Sequence, residues 1–485
     1  MNLDGLLQQR ALVLDGAMGT MLQGEIPPGY CPELMNVERP ELVARVHRQY
    51  LVSGCDILET NTFGGNRAKL DCCGLGARAA ELNRAGVRIA REAARTRPGS
   101  LVAGSIGPTG LFLEPWGQLS LRDAEELFAE QAAMLADGGA DLIIVETMMD
   151  LQEARAAVLG SLRTGLPVIA QMSFGQGGYS LCGTPPEVAG VVLSSLGASA
   201  VGSNCGLGSR EMVDIARRFV AVSGVPVSAL ANAGIPEVVG GRSLYPENPE
   251  ETAFYARQMV ELGVSLIGGC CGTTPSHMEA VSRSVRGIKP GGAGANREPG
   301  RGVAMAGRTS ALWVTEGCRA RLGTLPSDDL ILVDLTVGLG SGATGNTRLS
   351  PSDAEQKVFE AELETGKPIA LRGEAELLER GLAAFAGRAA VSIGASDEEE
   401  ELRRKLEVAG RYGAVLMVEL HEGSLPDDPP HSRSDAAGTS GELEGFLERL
   451  KASGGAGGGS LAVVVARSGA VLLPEDVFGG HGRSV

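Results

Sequence analysis

Three cysteines stand where sulfur chemistry can be done: Cys205 in the run SNCG (203–206) and the vicinal pair Cys270 and Cys271 in GGCCG (268–272). Zinc accepts thiolate sulfur and prefers four tetrahedral ligands, so three protein sulfurs leave one position open, the pattern of a catalytic site. A thiol entering that position gives up its proton and becomes a nucleophile at neutral pH. Regular strand geometry sends neighbouring side chains to opposite faces. Gly268, Gly269 and Gly272 permit the tighter turns that would aim both members of the pair at one ion. The plainer reading makes all three cysteines small buried hydrophobes, and it is the reading adopted for the other pair, Cys72 and Cys73.

Polar residues at other points suit an amino-acid substrate. Glu146 ends the apolar run Leu142-Ile143-Ile144-Val145 and offers a carboxylate to an ammonium group; a salt bridge to a neighbouring loop is its alternative role. In LDGAMGT (14–20), Asp15 is a polar contact, and the Gly16 and Ala17 backbone can approach a substrate carboxylate. Asn204, beside Cys205, joins these as a substrate-facing candidate. His421 and His431 lie in a polar stretch without periodicity and read as solvated.

These residues need a scaffold, and the chain supplies a repeating one. Short apolar runs at Leu12 to Leu14, Ile57 to Leu58, Leu101 to Ala103, Asp141 to Glu146, Pro167 to Ser173, Ser199 to Asn204, Pro226 to Leu230 and Val264 to Gly268 alternate with helical-period segments. Helices are expected at Leu121 to Asp137, Arg210 to Val222 and Glu250 to Leu262, each ending near glycine and feeding the next strand. Eight such units close into a (β/α)8 TIM barrel. Asp15, Glu59, Asn61, Ser105, Glu146, Ser173, Asn204, Cys205, Cys270 and Cys271 then fall at carboxyl ends of strands, the face where such barrels build active sites.

The expected architecture is therefore α/β: a barrel over 1–286, a Gly/Pro-rich linker over 287–307, and a smaller, incomplete, partly barrel-like α/β unit over 308–485. In that unit strands are expected at Asp329 to Val337, Pro368 to Leu371, Arg388 to Ile393 and Ala414 to Glu419, with helices between them. Pro426 to Gly441 and Gly454 to Ser460 are compositionally biased and form a low-complexity tail.

Composition narrows the partners. A chain of 485 residues that is 43% hydrophobic has room for more than one core and holds no apolar run long enough to span a bilayer. The formal net charge of -16 repels nucleic acid and anionic membranes, leaving a small-molecule substrate. Nine cysteines, an odd number, fit reduced thiols in the cytoplasm better than a disulfide framework, and Met1 to Arg10 does not read as a secretion signal. There is no GxxxxGK[ST] loop for nucleotide phosphates.

Taken together, LDGAMGTML, ETNTFGGN (59–66), GSIGPTG (104–110), SNCG and GGCCGTTP (268–275) resemble the homocysteine S-methyltransferase family across about 1–286. The opening segment and CPELMNVERPELV are most similar to the homocysteine domain of the cobalamin-dependent methionine synthases. The resemblance implies a zinc-bearing barrel with Cys205, Cys270 and Cys271 as ligands. It also implies that Glu146 and Asp15 contact the amino group of homocysteine, and the Gly16-Ala17 backbone its carboxylate. The activity implied is zinc-dependent methyl transfer to homocysteine, giving methionine.

The second unit is similar to part of a methyltetrahydrofolate (pterin)-binding barrel, in shortened or degenerate form. Its strand ends read DLTVG, LRGEA and VSIGA where that family carries polar residues, so no folate site is expected. No D-x-H-x-x-G cobalamin motif is present; Glu419-Leu420-His421-Glu422-Gly423 has the wrong first residue and spacing. The expected donor is methylcobalamin carried in trans by a separate corrinoid protein. The alternatives are a small sulfonium or ammonium donor, or a non-catalytic subunit that docks a corrinoid protein.

Overall fold

A computed structural model describes residues 3–7, 9–27, 29–239, 242–290, 302–306, 311–315, 331–335, 349–365, 367–394, 397–419 and 463–466. The chain divides into two compact units, which part between Arg297 and Glu298 except that 195–197 group with the second.

In the first unit eight parallel strands alternate with helices. The strands are β1 (Leu12–Val13), β2 (Ile57–Glu59), β3 (Leu101–Ile106), β4 (Leu142–Met148), β5 (Val168–Met172), β6 (Ala200–Gly208), β7 (Val227–Asn232) and β8 (Val264–Gly269). Each pairs with the next in chain order, and β8 pairs with β1. A single bridge, Leu14 to Ile57, closes the ring between β1 and β2. This is the (β/α)8 barrel expected from the alternation. All six residues of β3 and all five of β5 are buried, as strands covered on both faces must be.

The barrel interior is filled by Leu12, Leu14, Ile57, Leu101, Ala103, Leu142, Ile144, Ile169, Ala200, Leu230 and Leu266, with Leu3 and Leu7 of the short helix Leu3–Leu7 packed into the same cluster. These positions alternate along their strands, so the other set faces the helices.

The outer ring comprises α1 (Pro40–Val52), α2 (Ala79–Ala94), α3 (Leu121–Asp137), α4 (Leu151–Leu162), α5 (Pro186–Ser195), α6 (Ser209–Val222), α7 (Pro249–Leu262) and α8 (Pro275–Val285). Their starts are written locally. Ser120 and Asp150 accept backbone N–H bonds at the heads of α3 and α4, and Asn248 with Glu251 forms a reciprocal cap on α7.

The seam between β1 and β2 is stitched by two aspartates. Asp56 accepts from the Val13 N–H at 3.0 Å, and Asp15 accepts from the Glu59 N–H with both oxygens at 3.2 Å. Arg10 in turn clamps Asp56.

In the second unit five parallel strands lie in the order Ile331–Asp334, Ile369–Arg372, Ala390–Gly394, Val415–Glu419 and Val463–Ala466. The helices Pro351–Thr365, Ala375–Ala384 and Glu399–Arg411 connect the first four. An antiparallel hairpin, Gly302–Ala306 with Ala311–Thr315, precedes them. The biased stretches 426–441 and 454–460, and both His421 and His431, lie outside the described residues. No described helix is long and apolar enough to cross a membrane.

Candidate metal centre

Two strands of the barrel lose their register at the mouth, and both carry site residues. In β6, Asn204 pairs with Leu230 but Gly208 pairs with Asn232, so the intervening stretch bulges out of the ladder. Cys205 sits in that bulge with φ 59, followed by Gly206 at φ 72. In β4 the shift falls between Val145 and Met148, with Glu146 and Thr147 inside it and Thr147 at φ 60. Non-glycine residues in the left-handed region cost of order 1–3 kcal/mol and persist where the surroundings impose them. Here the bulges re-aim the Glu146 and Cys205 side chains, a recurrent use of bulges beside active sites.

The vicinal cysteines follow β8 directly. Gly272, at φ 80, turns the chain beyond them, and a Cβ there would lie 2.2 Å from Cγ of Tyr245. Cys205, Cys270 and Cys271 thereby bring three half-buried sulfurs within 4.8 Å of one another, and Cys205 and Cys271 are 3.9 Å apart. Among the described residues no other three His, Cys, Asp or Glu donors converge so closely. A tetrahedral ion with bonds of about 2.3 Å to sulfur sets its ligands about 3.8 Å apart, so the trio fits zinc. Asn232 ends β7, the strand between the two that carry the cysteines, and its Oδ1 is buried without a hydrogen-bond partner. The described cysteines are all free, and Cys72 and Cys73 are exposed, far from the buried role assigned to them from sequence.

The sulfurs share protons unequally. Hydrogen bonds from the Cys205 and Cys270 thiols pull Cys271 down to about 3, with the Tyr245 hydroxyl adding to the effect. The same bonds, to Cys205 and then Cys271, push Cys270 up, and burial pushes it further. One thiolate hydrogen-bonded by two thiols is a trio ready to exchange its remaining protons for a cation.

Beside the sulfurs lies a carboxylate group. Burial pushes Glu146 up to about 7; a 2.5 Å hydrogen bond from Ser105 opposes the shift and the charge of Cys271 adds to it. Asp15 is held well above the usual carboxylate range, chiefly by burial, against the opposing Glu59 N–H bond and with the charge of Glu146. Glu59 is raised by burial and by the charges of Glu146 and Asp15, and its Oε1 is buried with no partner. Buried carboxyls raised in this way hold protons in the empty site and can exchange them for a cation from outside the chain.

Asn204 joins the two clusters. Its Oδ1 accepts the Thr147 N–H at 2.6 Å, while Nδ2 reaches Glu146 Oε2 at 3.1 Å, Thr147 Oγ1 at 2.8 Å and Cys270 Sγ at 3.7 Å. The amide thus holds Thr147 in its left-handed turn and orients a carboxylate and a sulfur together. Asn204→Ala should lower the stability of the metal-free protein by about 1–3 kcal/mol, because a buried N–H and a buried carboxylate oxygen lose their partner. Denaturant unfolding reads this directly, and an unchanged midpoint would show that water replaces the amide.

The remaining expected positions distribute as follows. Gly16 lies against Tyr50 and Thr273, where a Cβ would be 2.7 Å from Thr273 Oγ1, and the Ala17 N–H donates to that oxygen at 3.2 Å. Asn61 joins a buried network with Asn36 and the Pro32 carbonyl. Ser105 supports Glu146. Thr147, Asn232 and Tyr245 were not singled out in the sequence. Thr147 and Tyr245 stand in runs with no distinguishing pattern, and only the N-A-G turn after β7 marks Asn232.

Comparison with known proteins places these observations. The family model described as homocysteine S-methyltransferase matches residues 12–285. The chain is 37% identical over 305 residues to the methionine synthase of Mycobacterium tuberculosis, covering 59% of this chain and 25% of that protein. It is also 37% identical over 297 residues to the methionine synthase of Mycobacterium leprae, covering 58% and 24% respectively. The chain thus spans about a quarter of the length of these curated relatives. Among solved structures, the homocysteine methyltransferase MmuM of Escherichia coli in its metallated form is 25% identical with a TM-score of 0.49, covering 58% of this chain and 98% of that one.

Proposed function

We propose a function from the premise that the chain belongs to the homocysteine S-methyltransferase family, whose model matches 12–285: it transfers a methyl group to the sulfur of homocysteine, giving methionine. The observation that carries the reading is the convergence of the Cys205, Cys270 and Cys271 sulfurs within 4.8 Å at the barrel mouth. Zinc held by these three sulfurs supplies a Lewis acid that favours the deprotonated form of an entering thiol.

The chain's own residues do the rest. Glu146 and Asp15 receive the ammonium of homocysteine, which supplies the cation that their burial demands. The backbone at Gly16 and Ala17 receives its carboxylate, and Asn204 keeps Glu146 and Cys270 in fixed relation. Holding the amino-acid end in this way aims the thiol at the sulfurs, so the nucleophile is placed before the donor arrives.

Within this reading, 1–286 is the homocysteine-binding barrel, 287–307 the connection, and 308–485 a shortened pterin-binding-like unit that has given up its folate site. The methyl donor is methylcobalamin carried in trans on a separate corrinoid protein, and nine cysteines, an odd number, suit a reducing cytoplasm.

Metal analysis of the reduced protein, followed by X-ray absorption at the zinc edge with and without homocysteine, tests the proposal. One zinc per chain that gains a sulfur neighbour on adding homocysteine is the expected result. A protein without zinc, or a zinc indifferent to homocysteine, would overturn it.

A further inference from the structure

The register of β2 on β3 ends at Glu59 and Ala103. The Thr60 N–H makes the last backbone bond of that run, to the Ala103 carbonyl at 2.9 Å, and the chain meets β3 again where the Gly107 N–H reaches the Phe63 carbonyl at 2.8 Å. Two threonine hydroxyls span the gap. Ser105 gives its N–H to Thr60 Oγ1 at 3.0 Å, and its carbonyl accepts from Thr62 Oγ1 at 2.8 Å. The two hydroxyls lie 2.6 Å apart.

The protons of this ring can be assigned. A hydroxyl has one proton to give, and that of Thr62 goes to a carbonyl, which can only accept. The Thr60 hydroxyl therefore donates to Thr62 Oγ1 while it accepts from the Ser105 N–H. Three bonds run head to tail around the backbone of one residue, so each polarises the next. Thr60, Thr62 and Ser105 are all buried, and removing one hydroxyl leaves a buried polar group unpaired. Gln131 of α3 backs the ring, its Nε2 reaching the Thr62 carbonyl at 2.8 Å and the Ser105 carbonyl at 3.4 Å. The Thr62 methyl presses on α2, where a Cβ at Gly86 would lie 2.7 Å from it.

The ring takes both backbone groups of Ser105 and leaves its hydroxyl for Glu146 Oε1, at 2.5 Å. We propose that Thr60 and Thr62 are positioning residues for the amino-acid end of the substrate: their hydroxyls fix the Ser105 backbone, Ser105 fixes Glu146, and Glu146 meets the ammonium. The inference rests on the reading that Glu146 receives the ammonium of homocysteine. The carboxylate is then held from two sides, by Ser105 on Oε1 and by Asn204 on Oε2, and is oriented before the substrate arrives.

The test measures homocysteine affinity by calorimetry on the reduced, zinc-loaded, full-length chain with no methyl donor present. Ser105→Ala keeps the ring and should weaken binding roughly 10-fold, since a hydrogen bond to a charged group is lost. Thr62→Val keeps a methyl on Gly86 but opens the ring, and should weaken binding roughly 3–10-fold. Thr62→Ser retains the hydroxyl and should bind as the parent does. The decisive variant is the double one: with Ser105 already alanine, Thr62→Val should cost little more, because a ring that acts through Ser105 has nothing left to position. Should the valine variant not fold, Thr62→Ala takes its place in the same cycle. If the two losses multiply, if Thr62→Ser is as weak as Thr62→Val, or if either single variant binds normally, the role assigned to the threonines is wrong while the ammonium reading stands. If Glu146→Gln binds homocysteine normally, the ammonium contact falls and the inference with it.

Discussion

Cys205→Ser is expected to remove zinc and thiol methylation together, with activity falling by at least about 10³-fold. The bound is conservative, because losing a partner that merely supports a ligand already costs roughly 10–100-fold, and Cys205 supplies one of the three converging sulfurs itself. Serine is nearly isosteric, so the fold should survive. Its hydroxyl does not ionise at neutral pH, and its harder oxygen is a poorer partner for a borderline-soft ion. The bulge would still place the side chain at the trio, with φ near 59 as before. Measured on one preparation, zinc content and methylation rate should fall in parallel while the melting behaviour of the metal-free protein stays put. A serine variant that keeps its zinc and its rate would remove the basis of the proposed chemistry.

The second large effect is at Glu146, and it has opposite signs for substrate and for stability. Removing the charge should raise the KM for homocysteine by roughly 10–100-fold, since a hydrogen bond to a charged group is worth about 1.5–3 kcal/mol. Stability runs the other way. Burial raises Glu146 from 4.5 to about 7, so the folded chain holds a proton that the unfolded chain has already released. The contribution is fully present below pH 4.5 and is lost as pH climbs to about 7. At 1.36 kcal/mol per pH unit, that loss is roughly 3 kcal/mol. Glu146→Gln carries no such proton, so its metal-free form should lose that share of the decline between those limits, the shares of Asp15 and Glu59 remaining. Denaturation curves across pH, set beside homocysteine kinetics, check both halves. A variant that binds homocysteine normally would reassign the ammonium contact.

Such a trade is physically natural, because a buried carboxylate kept ready for a cation is a cost to the empty protein. Glu59, with an unsatisfied buried oxygen, belongs to the same arrangement.

Much of this was legible in the amino-acid order. The runs at Leu142 to Val145 and Leu101 to Ala103 are apolar at successive positions, as strands buried on both faces must be, and the eight-fold alternation follows from them. SNCG and GGCCG stood out because glycines beside the cysteines permit turns that could aim the side chains at one ion, while spacing alone left small buried hydrophobes an equal reading. The bulges at Glu146 and Cys205 were not legible. A bulge is a mismatch between neighbours, set by how β4 meets β5 and β6 meets β7, and nothing local to VETM or SNCG announces it. Tyr245 was hidden for the same reason: the Gly272 backbone against which its ring lies is distant in the chain. The hairpin strands Glu237–Val239 and Arg242–Leu244 are too short to carry a pattern. In the second unit the fifth strand, Val463–Ala466, follows a glycine-rich stretch whose composition masked it.

The seam between β1 and β2 has a further consequence. Every other joint of the barrel is a ladder of strand pairs, whereas this one has a lone bridge, the Asp56 N–H to Val13 carbonyl bond at 2.7 Å, and the carboxylates of Asp15 and Asp56. Asp15 therefore serves two masters in the proposed function: it would receive the substrate ammonium, and it fastens the ring. On the proposed function, an ammonium bound at Asp15 would draw on the same carboxylate that fastens this seam. Occupancy and closure of the ring would then be coupled, so a substrate would tighten the cask it enters.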